Sequence, residues 1–167
     1  IYFSAMGRWI AENGLDADRL IEGTKVGTRA MFKNDGSATN EEVFFKGFEE
    51  HLGEVTKRDI EVLDTYYDSA FEETFAACKP NPYSHGIVKA CREMGLKVIL
   101  STNPLFPRVA TLKRMALSGL AESDFDLVTA YENSSFCKPD PRYFHEIMKK
   151  FNLKADEVIV FGNNTYD

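Results

Sequence analysis

Hydrophobic positions in the first 79 residues recur at the three- and four-residue spacing that is typical of amphipathic helices. Turn and capping signals separate these segments, among them a capping-box spacing at Thr39-Asn40-Glu41-Glu42. No part of this half shows the alternation of a strand. The pattern predicts a small bundle of four helices, at about 2–13, 16–34, 39–52 and 56–75.

The pattern changes after Pro80-Asn81-Pro82, which interrupts the last helical stripe. Short apolar runs then alternate with helical segments, and strands that alternate with helices form a parallel sheet. We therefore predict a helical domain at 1–79 and a partial α/β domain at 80–167. The predicted strands are 97–100, 126–130 and 158–161, and the predicted helices are 83–94, 107–119 and 140–151.

Composition places the chain among ordinary folded proteins, with 44% hydrophobic and 28% charged residues. The net charge of −6 and the lack of a basic patch argue against a nucleic-acid partner, and no apolar run is long enough for a membrane span. Cys78, Cys91 and Cys137 are scattered, which predicts buried free thiols and a cytoplasmic protein, and the isolated histidines argue against zinc.

Candidate chemistry follows the ends of the three predicted strands. Ser101-Thr102-Asn103 follows the first, Lys138 lies a loop beyond the second, and Asn163 and Asp167 follow the third. Ligands of open parallel sheets bind beyond the carboxyl ends of the strands. A hydroxyl there can hold phosphate oxygens, a lysine can offset negative charge, and a carboxylate can hold a divalent cation. Each residue alone also fits a helix cap or a solvated position; their order favours a site.

These segments, in this order, resemble the second, third and fourth motifs of the haloacid dehalogenase (HAD) superfamily. The motifs are carried by Val98-Ile99-Leu100-Ser101-Thr102-Asn103, by Cys137-Lys138-Pro139 and by Val160-Phe161-Gly162-Asn163-Asn164-Thr165-Tyr166-Asp167. The upstream helices resemble the cap that this superfamily inserts between its first and second motifs. The resemblance covers essentially the whole chain and implies a Rossmann-like parallel α/β core with an all-helical cap domain.

The resemblance also implies an activity, that of a magnesium-dependent phosphatase acting on a small phosphorylated metabolite. An aspartate would form an aspartyl-phosphate intermediate, which water then hydrolyses. Thr102 would hold a phosphoryl oxygen, Asn103 would shape the loop, and Lys138 would offset charge. Asn163 and Asp167 would hold Mg²⁺.

The chain departs from the family pattern in two places. The family's nucleophile lies in an Asp-x-Asp motif after an apolar strand, whereas Asp16-Ala17-Asp18 follows no strand and is explained by a helix cap. Asp124-Phe125-Asp126 precedes its strand. We therefore expect the nucleophile upstream of Ile1. Asn163 stands where the family commonly has an acid, and a neutral amide is a weaker metal ligand.

Two other interpretations remain open. The first, which Asn163 keeps open, is a HAD-like protein without catalysis that binds a phosphorylated ligand or a partner. The second is a receiver-type signalling domain, which also places Ser/Thr and Lys at strand ends but lacks a large helical insert. Four polar residues of the helical half are candidates for substrate contacts, although a solvated face explains each: Arg8, Arg29, Lys33 and Asn34.

Overall fold

A computed structural model describes residues 1–162, and the first half of these residues is helical. The helices are α1 (Tyr2–Glu12), α2 (Ala17–Met31), α3 (Asn40–Leu52) and α4 (Lys57–Ser69), and a short 3₁₀ helix follows at Phe71–Ala77. The four predicted helices are confirmed, except that the last is interrupted at Ala70. No helix within residues 1–162 has the length and apolar character of a membrane span.

Side-chain caps explain where α2 and α3 begin. The Asp16 carboxylate accepts the Arg19 backbone N–H at 3.0 Å, which confirms Asp16 as a helix cap. The predicted capping box is also confirmed. The Thr39 hydroxyl oxygen accepts the Glu42 N–H at 3.2 Å, and the Glu42 carboxylate accepts the Thr39 N–H at 2.8 Å.

Glycines allow α2 and α3 to pack closely. A Cβ added at Gly27 would lie 2.7 Å from the backbone oxygen of Phe44, and one at Gly23 would lie 2.9 Å from the Phe48 ring. Because Phe44 and Phe48 are buried, the two helices enclose an aromatic part of the core at this crossing.

The second half contains a two-stranded parallel sheet with helices around it. Its elements are α5 (Ser84–Glu93), β1 (Ile99–Leu100), α6 (Arg108–Ala116), β2 (Leu127–Val128) and α7 (Arg142–Phe151). Ile99 pairs with Leu127 and Leu100 with Val128. The strands are shorter than predicted, but their positions and their parallel pairing are confirmed.

The prediction of a third strand at 158–161 is wrong for the described chain. No strand is formed at these residues, and the side chains of Ile159 and Phe161 are 79% and 89% exposed. A strand needs a neighbour that supplies N–H and C=O partners. Within residues 1–162, β1 and β2 pair with each other and no segment pairs with 158–161.

The N-terminus of α3 joins the helical half to the loop after β2. The Asn40 N–H donates to the Ser134 carbonyl at 2.8 Å, and the Glu41 N–H donates to the Tyr131 carbonyl at 3.0 Å. N–H groups in the first turn of a helix have no partner within the helix, so the loop satisfies them. Buried Tyr131 and Cys137 of this loop belong to the same hydrophobic core as the helices.

Candidate functional site

Hydroxyl groups fix the backbone of Thr102 at the carboxyl end of β1. The Thr102 carbonyl accepts hydrogen bonds from Tyr143 at 2.7 Å and from Thr129 at 3.0 Å, and the Thr102 hydroxyl donates to the Thr129 carbonyl at 3.1 Å. Burial raises the pKa of Tyr143, so its hydroxyl stays a donor at neutral pH. The end of β1 is therefore bonded to both β2 and α7.

The side chain of Asn103 bonds to the backbone of Lys138. Its Oδ1 accepts the Lys138 N–H at 3.1 Å, and its Nδ2 donates to the Lys138 carbonyl at 3.5 Å. The Lys138 Nζ lies 5.7 Å from the ring centroids of both Tyr143 and Phe144, within range of a cation–π interaction. Two of the residues predicted from sequence are thus brought into direct contact.

Thr102 lines a cavity of about 350 Å³ together with Leu100 of β1. Two basic residues, Lys79 and Arg114, line the same cavity. Neither was predicted as a site residue, since each lies in a segment whose pattern shows only a chain break or a helix. Neither Asn103 nor Lys138 lines this cavity, so it does not include the contact between those two residues.

Buried asparagines of the helical half hold the two loops together. Asn40 is fully buried, and its Nδ2 lies 3.3 Å from the Pro104 carbonyl and 3.4 Å from the Cys137 sulfur. Its Oδ1 accepts a hydrogen bond from Asn34 at 2.9 Å. Asn34 is 6% exposed, so the interpretation of Asn34 as part of a solvated face is wrong. A buried amide has to find partners, and the loops supply them.

The other polar candidates of the helical half are solvated, as predicted. Arg8 pairs with Glu73 at 2.8 Å and Arg29 pairs with Glu22 at 3.1 Å, with all four side chains largely exposed. Lys33 is also exposed. Exposed pairs of this kind contribute little to stability.

The three cysteines are free thiols, as predicted, but only Cys137 is buried. Burial raises its pKa to about 12, so it stays a neutral thiol at physiological pH. Cys91 is half-buried and Cys78 is exposed, which corrects the prediction that all three are buried.

The Asp126 carboxylate has a structural role at the amino end of β2. It accepts the Val98 N–H at 2.8 Å and pairs with Arg92 at 2.6 Å. The backbone hydrogen bond from Val98 and then the Arg92 guanidinium lower the pKa of Asp126. Since Thr102 and Lys138 follow the carboxyl ends of the strands, Asp126 lies at the opposite edge of the sheet from them.

The described residues do not form a magnesium site by themselves. Within residues 1–162, no group of three or more His, Cys, Asp or Glu side chains could hold a metal ion. Asp140, the acid nearest to Lys138 in sequence, pairs with Arg142 at 2.7 Å. The predicted ligands Asn163 and Asp167 lie outside the described residues.

A comparison with protein families identifies the class of protein to which this chain belongs. The haloacid dehalogenase-like hydrolase family matches residues 5–167, which is nearly the whole chain. The chain belongs to this family of hydrolases, as its motifs indicate, and the family membership argues against a receiver domain. The α/β fold of the family agrees with the parallel pairing of β1 and β2.

A curated relative is the pyrophosphatase PpaX of Halalkalibacterium halodurans. The two proteins are 31% identical over 80 residues, which is 48% of this chain and 36% of the relative. The match thus covers little more than a third of the length of that pyrophosphatase.

Proposed function

We propose that this chain is part of a magnesium-dependent phosphatase that hydrolyses phosphate monoesters of small metabolites through an aspartyl-phosphate intermediate. The observation that carries the proposal is the pair of hydrogen bonds between Asn103 and Lys138, because they join two motif residues at the carboxyl edge of the sheet. Membership of a hydrolase family supports a reaction at this edge.

The reaction begins with an aspartate that we place upstream of Ile1. Its carboxylate attacks phosphorus, the bond from phosphorus to the ester oxygen breaks, and a neighbouring acid protonates the leaving alkoxide. Water then attacks the aspartyl-phosphate and gives a proton back to that acid, which releases inorganic phosphate and restores the carboxylate of the nucleophile. Each step conserves charge and atoms without a redox partner.

The residues of this chain stabilise the anionic groups of that reaction. The Thr102 hydroxyl is assigned to a phosphoryl oxygen, for which it would turn from the Thr129 carbonyl to the ligand. Lys138 offsets the charge of the nucleophile and the phosphoryl group. Asn103 holds the Lys138 backbone at a fixed distance from β1, so that this charge is already in place.

Asn163 and Asp167 are the residues that we assign as magnesium ligands. When bound, the ion would neutralise phosphoryl oxygens. Within residues 1–162 no group of three or more His, Cys, Asp or Glu side chains could hold the ion, so the remaining ligands are assigned to the upstream segment.

A second candidate function is phospho-ligand or partner binding without catalysis. Asn163 favours it, because an amide replaces an acid at the position where the family commonly binds its metal. This candidate predicts saturable binding of phosphate esters with no release of phosphate.

Lys138→Ala tests the catalytic assignment in a chain extended upstream of Ile1. Loss of one preorganised charge contact costs about 2.7–4 kcal/mol in the transition state, so we expect phosphate release from phenyl phosphate to fall about 10²–10³-fold. Lys149→Ala, an exposed lysine of α7, is the matched control and should keep normal turnover. Near-normal turnover of Lys138→Ala would remove Lys138 from the site.

A further inference from the structure

A second cavity lies between the helical half and the loops after β1 and β2. Its volume is about 200 Å³. Half of the residues that line it are aromatic, with rings from α1, α3, α4 and both loops: Tyr2, Phe3, Phe44, Phe45, Tyr67, Phe106 and Tyr131. We refer to it as the aromatic cavity.

Most polar groups in its wall already have partners. The hydroxyls of Thr24 and Thr28 donate to backbone carbonyls of α2 at 2.8 Å, and the hydroxyls of Tyr2 and Tyr67 bond to each other at 2.7 Å. Asp64 is the one charged residue among the described residues that line it, and partial burial raises the pKa of Asp64. The wall therefore offers an apolar surface and no cation for an anionic ligand.

The aromatic cavity begins close to the candidate site along the chain, although Thr102, Asn103 and Lys138 do not line it. The Leu105 N–H donates to the Asn103 carbonyl at 2.8 Å, and the Tyr131 N–H donates to the Phe106 carbonyl at 3.1 Å. Leu105, Phe106 and Tyr131 all line the cavity. Its wall thus begins two residues from Asn103, on the same loop that carries Thr102.

We propose that the aromatic cavity holds the leaving group of the substrate, and that this group is an uncharged alcohol with a single aromatic ring; the assignment rests on the function proposed above. A dry cavity of about 150 Å³ with an apolar lining is enough to bind benzene. A cavity of about 200 Å³ therefore suits one ring with a small linker. Pyrophosphate, whose leaving group is itself an anion, has no apolar part to bury there and would meet Asp64.

The test compares benzyl phosphate, ethyl phosphate and inorganic pyrophosphate as substrates of the chain extended upstream of Ile1. Benzyl and ethyl phosphate both release primary alcohols, so the ratio of their kcat/KM values reports chiefly the binding of the ring. Burial of a ring of this size predicts a ratio of about tenfold or more in favour of benzyl phosphate. A ratio near one, or a preference for pyrophosphate, would overturn the proposal.

Thr28→Phe fills the cavity from α2, and Thr65→Phe is its matched control. Thr65 is an exposed threonine of α4 that makes the same hydrogen bond to a carbonyl four residues earlier. We expect Thr28→Phe to lower the benzyl-to-ethyl ratio about tenfold and Thr65→Phe to leave it unchanged. If circular dichroism shows that the Thr28→Phe variant is unfolded, Leu105→Trp is used in its place, because Leu105 also lines the cavity. Equal ratios in all variants would contradict the assignment.

A binding measurement separates this inference from the proposed function. If the extended chain hydrolyses none of the three substrates, the proposed function fails. Fluorine NMR with 4-fluorobenzyl alcohol then tests directly whether the aromatic cavity binds a ring. Saturable binding that is lost in Thr28→Phe and kept in Thr65→Phe supports a ring site. No binding to the unsubstituted chain, or binding unaffected by Thr28→Phe, overturns it.

Discussion

At the scale of single residues, the amide of Asn103 connects the two loops of the candidate site. Both ends of the amide bond to the backbone of Lys138, and the Lys138 Nζ lies within cation–π range of the Tyr143 ring. The position of the loop that carries Lys138 is therefore fixed through its backbone.

If Asn163 and Asp167 hold magnesium, substitutions at these two positions should change the affinity for the ion in opposite directions. Magnesium is usually held by one or two carboxylates with several waters, so Asn163→Asp adds a favoured ligand and Asp167→Asn removes one. In the extended chain, we expect Asn163→Asp to lower the magnesium concentration for half-maximal activity and Asp167→Asn to raise it. An activity titration measures both. If neither variant moves the midpoint, this segment does not hold the ion.

Position after a strand predicted where Thr102, Asn103 and Lys138 lie in the fold, while their roles in a site stay predictions. The strands have a readable apolar pattern, and the residues that follow them fall at one edge of a parallel sheet. Asn40 and Tyr143 could not be found this way. Their signals are those of a helix start and of a helix face, and their contacts with the site arise only from tertiary packing.

At the scale of elements, the close approach of α2 and α3 depends on the absence of a side chain at Gly27. We expect Gly27→Ala to destabilise the fold by about 1–3 kcal/mol, because its methyl group would overlap the Phe44 backbone. Gly7→Ala, in the interior of α1, is the matched control. Its methyl group would lie 4.0 Å from Ile21, and we expect a gain of about 0.5–1 kcal/mol from lower chain entropy.

Urea denaturation measures both free energies of unfolding. A Gly27→Ala variant as stable as Gly7→Ala would show that the two helices can separate at no cost, and would contradict the packing described here.

Helices could be predicted from this sequence more fully than strands could. Helix caps such as Asp16 and Thr39 act within a few residues, and both make the predicted hydrogen bonds. A strand depends on a partner elsewhere in the chain. The apolar run at 158–161 has the composition of a strand, but no described segment pairs with it, and its side chains are left largely exposed.

At the scale of the whole molecule, two cavities of different character flank the segment after β1. The cavity at Thr102 is lined by Lys79 and Arg114, whereas the aromatic cavity carries only Asp64 as a charged residue among those described. Neither Asn103 nor Lys138 lines either cavity, so neither cavity by itself accounts for the proposed phosphoryl site. Neither cavity could be predicted from the sequence, since each is lined from both halves of the chain.

The most direct test compares the 167-residue chain with a chain extended upstream of Ile1, assayed with an aryl phosphate and magnesium. Among the described residues, neither Asp-x-Asp motif stands at the carboxyl edge of the sheet, since Asp16 caps a helix and Asp126 binds the Val98 N–H. We therefore predict phosphate release by the extended chain and none by the 167-residue chain. Equal turnover by both would place the nucleophile within residues 1–167, and no turnover by either would contradict a phosphatase.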